Sequence, residues 1–292
     1  MMTGTQLDNG LLYAGLGVWG ILLIRCIRHG NFLRIDPKPD PSAIHLNWQL
    51  VALVLVFFLM ISGLIREVWS VLRIHPDGRP ELRELTFQML TDCVAKTLAA
   101  MGMIVILQRT MTGQTFWGGK TLFESDKPGR VTFWIKLPAL AMVIYLAGFP
   151  WINKFLLWIG VLLADKVFNL SAPQGHQVFQ LLNSPHSSLV IKTFLILLAV
   201  VISPIAEELF FRGMVQNLAY KKFRHTGLAI TLTAVIFTAV HIPMYHQFLS
   251  LFALGLVLGW SYYRFRSLLV PIAVHILFNA TTLILWSLGF AE

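Results

Sequence analysis

The sequence predicts an all-α, polytopic membrane protein with about eight transmembrane helices, and two observations support this fold class. First, 56% of the 292 residues are hydrophobic and only 13% are charged, whereas soluble domains contain about 45–50% apolar and about 25% charged residues. Second, the chain contains about eight apolar runs close to the roughly 20 residues that an α-helix needs to cross a bilayer. This composition excludes a disordered chain and an ordinary soluble enzyme.

Apolar runs separated by polar breaks define the predicted helices in order. They are Leu11–Ile27, Trp48–Ile65, Leu85–Leu107, Val131–Ala164, Ser188–Tyr220, Gly227–Ile242, Gln247–Tyr263 and Leu268–Phe290. The first run is predicted to be a retained span, because the residues before it carry no lysine or arginine and no small-residue cleavage site follows it.

Two predicted helices are longer than one straight crossing requires. Val131–Ala164 contains Pro138 and Pro150, so we expect its second half to bend and lie at the membrane interface. Ser188–Tyr220 contains Pro204, which cannot donate a backbone hydrogen bond and therefore predicts a kink.

Loop charges predict the orientation and explain the net charge of +9 without a nucleic-acid partner. Lysine and arginine are concentrated near residues 25–38, 109–130, 221–224 and 264–266, and loops rich in these residues stay in the cytoplasm. The loop with Arg66, Arg73, Arg79 and Arg83 is an exception. The pattern favours a multi-pass plasma-membrane protein with both termini outside, whose partner is the lipid bilayer.

The composition also divides the chain into two predicted parts. Residues 1–130 hold most of the charged loops and are interpreted as accessory transmembrane helices, whereas residues 131–292 are interpreted as the functional core. Cys26 and Cys93 provide neither a disulfide framework nor a metal-binding CxxC spacing. The sequence does not predict the oligomeric state.

Several charged residues within the spans have a structural interpretation. Asp92 and Lys96 are four residues apart on one helix and are predicted to form an ion pair. Four lysines lie near span ends, where a long side chain can reach the interface: Lys136, Lys154, Lys166 and Lys192.

A second polar group occupies three of the last four spans. Its members are Glu207, Glu208 and Arg212 in the fifth, His241 at the end of the sixth, and His275 and Asn279 in the eighth. An ionisable group at bilayer depth costs at least about 2.5–3.5 kcal/mol, so such residues are functional candidates. Counted at 1.5 Å per residue from the basic loops, Glu207, His241 and His275 all lie inside the membrane, at depths that differ by up to about 12 Å.

The spacing and residue types fit the activation of a water molecule. Glu208 and Arg212 are spaced for an ion pair on one helical face, which leaves Glu207, about 100° around the helix, without that partner. His275 and Asn279 also share a face. A carboxylate with a neutral imidazole can activate water, and a second imidazole with an asparagine amide can donate hydrogen bonds to a developing oxyanion.

In these motifs the sequence resembles the CPBP family of intramembrane proteases, which includes the type II CAAX prenyl endopeptidases and bacteriocin-processing proteins. The motifs are Glu207-Glu208-x-x-x-Arg212, Phe237-x-x-x-His241 and His275-x-x-x-Asn279, in the family's order within residues 188–290. Competing signatures of membrane proteases, such as the zinc-binding His-Glu-x-x-His, are absent from the sequence.

The resemblance implies an intramembrane glutamic endopeptidase that needs no metal or other cofactor. Glu207 would be the general base, His241 would hold the same water, and His275 with Asn279 would stabilise the oxyanion. Supporting roles would fall to three neighbours: Glu208, Arg212 and Phe237. The substrate would be a membrane-associated peptide or protein, and prenylated CAAX tails and leader peptides are both open.

Three alternatives remain open from the residues alone. Glu207, His241 and His275 could be ligands of a catalytic zinc ion, with water as the fourth ligand. The same side chains could relay protons in a transporter, although transporters often contain paired repeats and this polar cluster is confined to one half of the chain. The third alternative is a membrane scaffold that keeps the site without turnover.

Overall fold

The computed structural model describes residues 44–72, 80–111, 130–166, 177–185 and 187–288, besides Gly17 and Ile21. Within these ranges all regular structure is helical, apart from one isolated β-bridge between Ile44 and Met111. The all-α prediction is therefore confirmed. The predicted first span, Leu11–Ile27, falls almost entirely outside the described residues.

The described part of the chain contains eight helices, which we number in chain order. They are α1 (Trp48–Leu72), α2 (Pro80–Thr110), α3 (Arg130–Lys166), α4 (Gln177–Asn183), α5 (Leu189–Phe223), α6 (Thr226–Ala239), α7 (Phe248–Phe265) and α8 (Leu269–Ser287). A 3₁₀ turn at Ile242–Gln247 joins α6 to α7. The sequence analysis did not predict the short helix α4.

Five helical segments are long and apolar enough to cross a membrane. They are Trp48–Val68, Thr86–Thr110, Leu189–Phe223, Tyr245–Phe265 and Leu269–Ser287. Two shorter apolar helical segments, Leu137–Ala147 and Thr226–Ala239, accompany them. The chain is therefore a polytopic integral membrane protein, as predicted.

Helix α3 continues through both prolines of the long predicted span. It is one helix of 37 residues, and neither Pro138 nor Pro150 interrupts it. At 1.5 Å per residue its length is about 56 Å, which exceeds the about 40–45 Å thickness of a whole bilayer. The predicted bend of its second half, a tilt, or extension beyond the headgroups would accommodate this length.

Helix α5 passes Pro204 by changing its hydrogen-bond register. Residues Leu198–Ile202 and Leu209–Gln216 are π-helical, and the short segment Ser203–Glu208 between them is α-helical. The N–H of Ser203 donates to the carbonyl of Leu198, five residues earlier. Isolated π-helical turns inside α-helices occur frequently at functional sites, and here they flank the two adjacent glutamates.

The last four helices form the centre of the bundle, and two glycines allow their close approach. A Cβ atom at Gly255 would lie 2.9 Å from the Cβ of Ala234 on α6, and one at Gly259 would lie 2.7 Å from Oε1 of Gln216 on α5. Helix α3 packs against α7 and α8, α2 packs against α5, and α1 packs against α2. The Gly255-x-x-x-Gly259 spacing therefore serves packing within the chain.

Candidate active site

The two glutamates of α5 point into different environments. Both lie at the end of the α-helical segment Ser203–Glu208. Glu208 is completely buried, whereas 19% of the Glu207 side chain is exposed. This difference follows from the rotation of about 100° between neighbouring residues of a helix.

Glu208 connects Arg212 to His275. Its Oε1 atom accepts hydrogen bonds from Arg212 Nη1 at 2.9 Å and from His275 Nδ1 at 2.8 Å. The predicted Glu208–Arg212 ion pair is thus present, but the contact with His275 was not predicted. Because His275 donates from Nδ1 to a carboxylate, the Nε2 atom of the neutral ring carries a lone pair and accepts.

His241 is oriented by the end of α6. Its backbone N–H donates to the Thr238 carbonyl at 3.0 Å, and its Nδ1 lies 2.7 Å from the Phe237 carbonyl. A carbonyl oxygen only accepts, so Nδ1 carries the hydrogen and Nε2 of the neutral ring is again an acceptor. The buried Phe237 ring packs against His241, with ring centroids 4.8 Å apart, and lies 4.8 Å from the Arg212 guanidinium carbon.

Three acceptor atoms converge beside α5. Oε2 of Glu207 lies 3.9 Å from His241 Nε2 and 4.0 Å from His275 Nε2. These separations are longer than direct hydrogen bonds, and each atom would accept from a donor placed among them. The structure thus brings together three of the four residues predicted as catalytic, with Glu207 Oε2 near enough to each Nε2 atom for one water molecule to bridge the carboxylate and an imidazole.

Asn279, the fourth residue, contacts the π-helical part of α5. Its Nδ2 atom donates to the Ala199 carbonyl at 2.8 Å. The Ser203 N–H donates to a carbonyl five residues earlier. The same spacing, applied to the next residue, would pair a backbone N–H of residue 204 with the Ala199 carbonyl. Pro204 has no N–H, so the Asn279 side chain supplies the missing donor. An amide nitrogen carries two hydrogens, which leaves the second available to another acceptor.

Lys96 on α2 is a site neighbour that sequence reasoning missed. It was predicted to pair with Asp92, but its Nζ atom lies 3.0 Å from Ser203 Oγ and 3.9 Å from Glu207 Oε1. The sequence does place Lys96 in the middle of one span and leaves Glu207, in another span, without an assigned cation. These two features together could have suggested the contact.

The described residues do not form a ready metal-binding group. Within the ranges given above, no set of three or more His, Cys, Asp or Glu side chains is grouped so that it could hold a metal ion.

Comparison with a family model supports the resemblance read from the motifs. Residues 189–281 match the family described as "Type II CAAX prenyl endopeptidase Rce1-like". The matched region contains all three motifs, which lie on α5, at the end of α6 and on α8. The resemblance is therefore confirmed for this part of the chain.

Three curated proteins are similar to the chain at comparable levels. An "Uncharacterized 24.3 kDa protein" of Escherichia coli is 31% identical over 143 residues, 47% of this chain and 62% of its own length. The "UPF0177 protein YbdI" of Lactococcus lactis subsp. lactis (strain IL1403) is 32% identical over 91 residues, 31% of this chain and 48% of its own length. The "Putative membrane peptidase YdiL" of Bacillus subtilis (strain 168) is 31% identical over 93 residues, 31% of this chain and 36% of its own length.

The chain thus spans less than two thirds of the length of each of these relatives. No solved structure matches it.

Proposed function

We propose that the chain is an intramembrane glutamic endopeptidase that hydrolyses a peptide bond of a membrane-associated peptide or protein. The observation that carries the proposal is the convergence of Glu207 Oε2 with the Nε2 atoms of His241 and His275 within 4.0 Å. The Rce1-like match over residues 189–281 and the similarity to a relative named as a membrane peptidase support the same reaction class.

In the proposed mechanism a water molecule donates one hydrogen to Glu207 Oε2 and the other to His241 Nε2. Both atoms are acceptors in the described geometry, so neither side chain has to change its protonation to hold this water. Glu207 takes the proton as the water oxygen attacks the peptide carbonyl carbon. The same proton then passes to the leaving amine, which completes hydrolysis without a change in the net protonation of the site.

The oxyanion formed by this attack requires donors. The second hydrogen of the Asn279 amide can supply one. His275 can supply another from Nε2 only as an imidazolium, because its Nδ1 already donates to Glu208 at 2.8 Å. The contact with the buried Glu208 carboxylate fixes the ring with its Nε2 atom on the side of Glu207, 4.0 Å from Oε2.

The proposal is tested with the purified full chain in lipid vesicles and a panel of matched prenylated and unprenylated peptides. We expect mass spectrometry to detect new peptide termini, and cleavage to continue after treatment with 1,10-phenanthroline. Activity that is lost with the chelator and restored by zinc would replace the glutamic mechanism with a zinc mechanism. Proton-coupled uptake without cleavage would instead support the transporter.

Replacement of Asn279 with alanine is expected to lower kcat by roughly 10²–10³, the usual cost of removing one oxyanion donor. KM should change little, because the amide is proposed to contact the oxygen only when it becomes charged. Steady-state cleavage by the purified variant gives both constants.

Asn279 also donates a hydrogen bond to the Ala199 carbonyl, so a control must separate the loss of this bond from the loss of an oxyanion donor. Pro204→Ala restores a backbone N–H that can donate to the Ala199 carbonyl, so the carbonyl keeps a partner when Asn279 is removed. We expect Asn279→Ala to cost the same factor in kcat in this background. If the Pro204→Ala, Asn279→Ala double variant has wild-type kcat, the role of Asn279 is only to donate a hydrogen bond to the Ala199 carbonyl.

A further inference from the structure

We propose that Lys96 on α2 is a positioning residue, which holds the Glu207 carboxylate with one defined oxygen directed at the two imidazoles. The inference rests on the proposed function, because it assigns Glu207 its role as base. It adds to the site a residue that none of the three motifs contains and that lies outside the matched region 189–281.

The charge of Lys96 needs a partner, because the residue lies inside the helical bundle. It lies in the middle of the candidate span Thr86–Thr110, and 26% of its side chain is exposed. A charged group at this depth is costly unless it is paired or reaches water. Its Nζ atom contacts Ser203 Oγ at 3.0 Å and Glu207 Oε1 at 3.9 Å, and these two residues are four apart on one face of α5. Lys96 therefore links α2 to the segment that carries Glu207.

The two oxygens of Glu207 have different neighbours. Oε1 lies 3.9 Å from the Lys96 ammonium, whereas Oε2 lies 3.9 Å and 4.0 Å from the two Nε2 atoms. A cation on one side favours this orientation of the carboxyl group over one that is rotated away from the imidazoles. Orientation matters because a displacement of about 1 Å in a reacting group can cost about 10²-fold in rate.

Lys96 also balances the charge of the cluster. Glu208 is paired with Arg212 at 2.9 Å, which leaves Glu207 as the second carboxylate. Lys96 supplies the second cation at 3.9 Å from Glu207 Oε1, so the charge of Glu207 is balanced without a charged His241, which the proposed water needs as an acceptor. The segment predicted as accessory, residues 1–130, would thus contribute directly to the site.

The test compares three variants of the full chain in the cleavage assay. Lys96→Met removes the charge and keeps a long apolar side chain, and we expect kcat to fall by about 10²-fold with KM unchanged. Lys96→Arg keeps the charge and should recover activity to within about tenfold of wild type. Lys192→Met is the matched control, because Lys192 lies about 22 Å from Glu207 along α5 at 1.5 Å per residue, and its kcat should match that of wild type.

Each contrary outcome overturns a specific part of this inference. If Lys96→Met has wild-type kcat while Glu207→Gln is inactive, Lys96 does not position Glu207, and the proposed function is unaffected. A rise in KM with kcat unchanged would make Lys96 a substrate contact instead. Equal losses in Lys96→Met and Lys96→Arg would reduce it to a packing residue.

A second measurement needs neither activity nor a Lys96 variant. Dicyclohexylcarbodiimide condenses a carboxyl group with an amine in contact and releases a urea. In the wild-type chain in vesicles we expect an amide bond between Glu207 and Lys96, detected by mass spectrometry after proteolysis and absent from Glu207→Gln. A wild-type chain in which Glu207 reacts but never couples to Lys96 would overturn the inference, even if Lys96→Met failed to fold.

Discussion

Replacement of Glu207 with glutamine is expected to reduce peptide cleavage by about 10⁴-fold. Removal of a general base costs about 10²–10⁴-fold, and the upper end applies because the neighbouring carboxylate cannot substitute. Oε1 of Glu208 already accepts from Arg212 and His275, and its side chain is completely buried. A glutamine amide has nearly the same shape but cannot take a proton from water.

The same substitution should leave the fold intact. Glu207 is partly exposed, and its contacts with Lys96, His241 and His275 are 3.9–4.0 Å long. No short hydrogen bond between described residues depends on its charge, so we expect the melting temperature in detergent to stay within roughly 3 °C of wild type. Cleavage and thermal unfolding would be measured on the same preparation, which separates loss of chemistry from loss of protein.

Glu207→Asp is the matched control for this prediction. It keeps the carboxylate but withdraws it by one methylene group, so we expect measurable cleavage well above that of the glutamine variant. Native-rate cleavage by Glu207→Gln would exclude Glu207 as the base. A parallel loss of bound zinc and activity in Glu207→Gln, measured by elemental analysis, would identify Glu207 as a metal ligand.

Hydropathy predicted the long helices of this chain closely, because lipid requires continuous apolar runs of a definite length. Helix α7, predicted at Gln247–Tyr263, lies at Phe248–Phe265. Helix α6 ends at Ala239 and not at the predicted Ile242. The chain continues from there into the 3₁₀ turn Ile242–Gln247, which contains Pro243, and apolarity alone does not distinguish such a turn from the end of an α-helix.

The site was predictable within helices but not between them. The spacing of Glu208 and Arg212 specified their pairing, because residues four apart on a helix are neighbours. The contacts Glu208–His275 and Lys96–Ser203 join residues 67 and 107 positions apart, and nothing local in the sequence indicates which helices face each other. Likewise, a count of 1.5 Å per residue predicted depths that differ by up to about 12 Å, yet Glu207 Oε2 lies 3.9 Å and 4.0 Å from the Nε2 atoms of His241 and His275.

Replacement of Arg212 with alanine should affect stability more than any other single change in the site. We expect it to lower the free energy of unfolding by about 3–5 kcal/mol, the usual cost of breaking a buried ion pair by removing one partner. Arg212 and Glu208 are both completely buried. Without Arg212, Glu208 loses its cation, and the Gly255 carbonyl loses the donor that Nη2 provides at 3.2 Å.

A comparison of single and double variants shows whether the charge or the packing of Arg212 dominates. Arg212→Met keeps much of the side-chain volume next to Phe237. If the unpaired charge of Glu208 accounts for most of the lost stability, Arg212→Met should be nearly as unstable as Arg212→Ala. Glu208→Gln combined with Arg212→Met removes both charges and retains an oxygen that can accept from His275 Nδ1. We therefore expect the double variant to be more stable than Arg212→Met alone, which unfolding in detergent can measure.

The opposite result would change the interpretation of the site. A double variant less stable than Arg212→Met would mean that the Glu208 carboxylate stabilises the fold mainly through His275 and not through Arg212. Arg212 would then act chiefly through its contacts with the Gly255 carbonyl and the Phe237 ring. If the double variant is stable but cleaves poorly, the charge of Glu208 is needed for cleavage, which connects the buried ion pair to the proposed role of His275 in the oxyanion step.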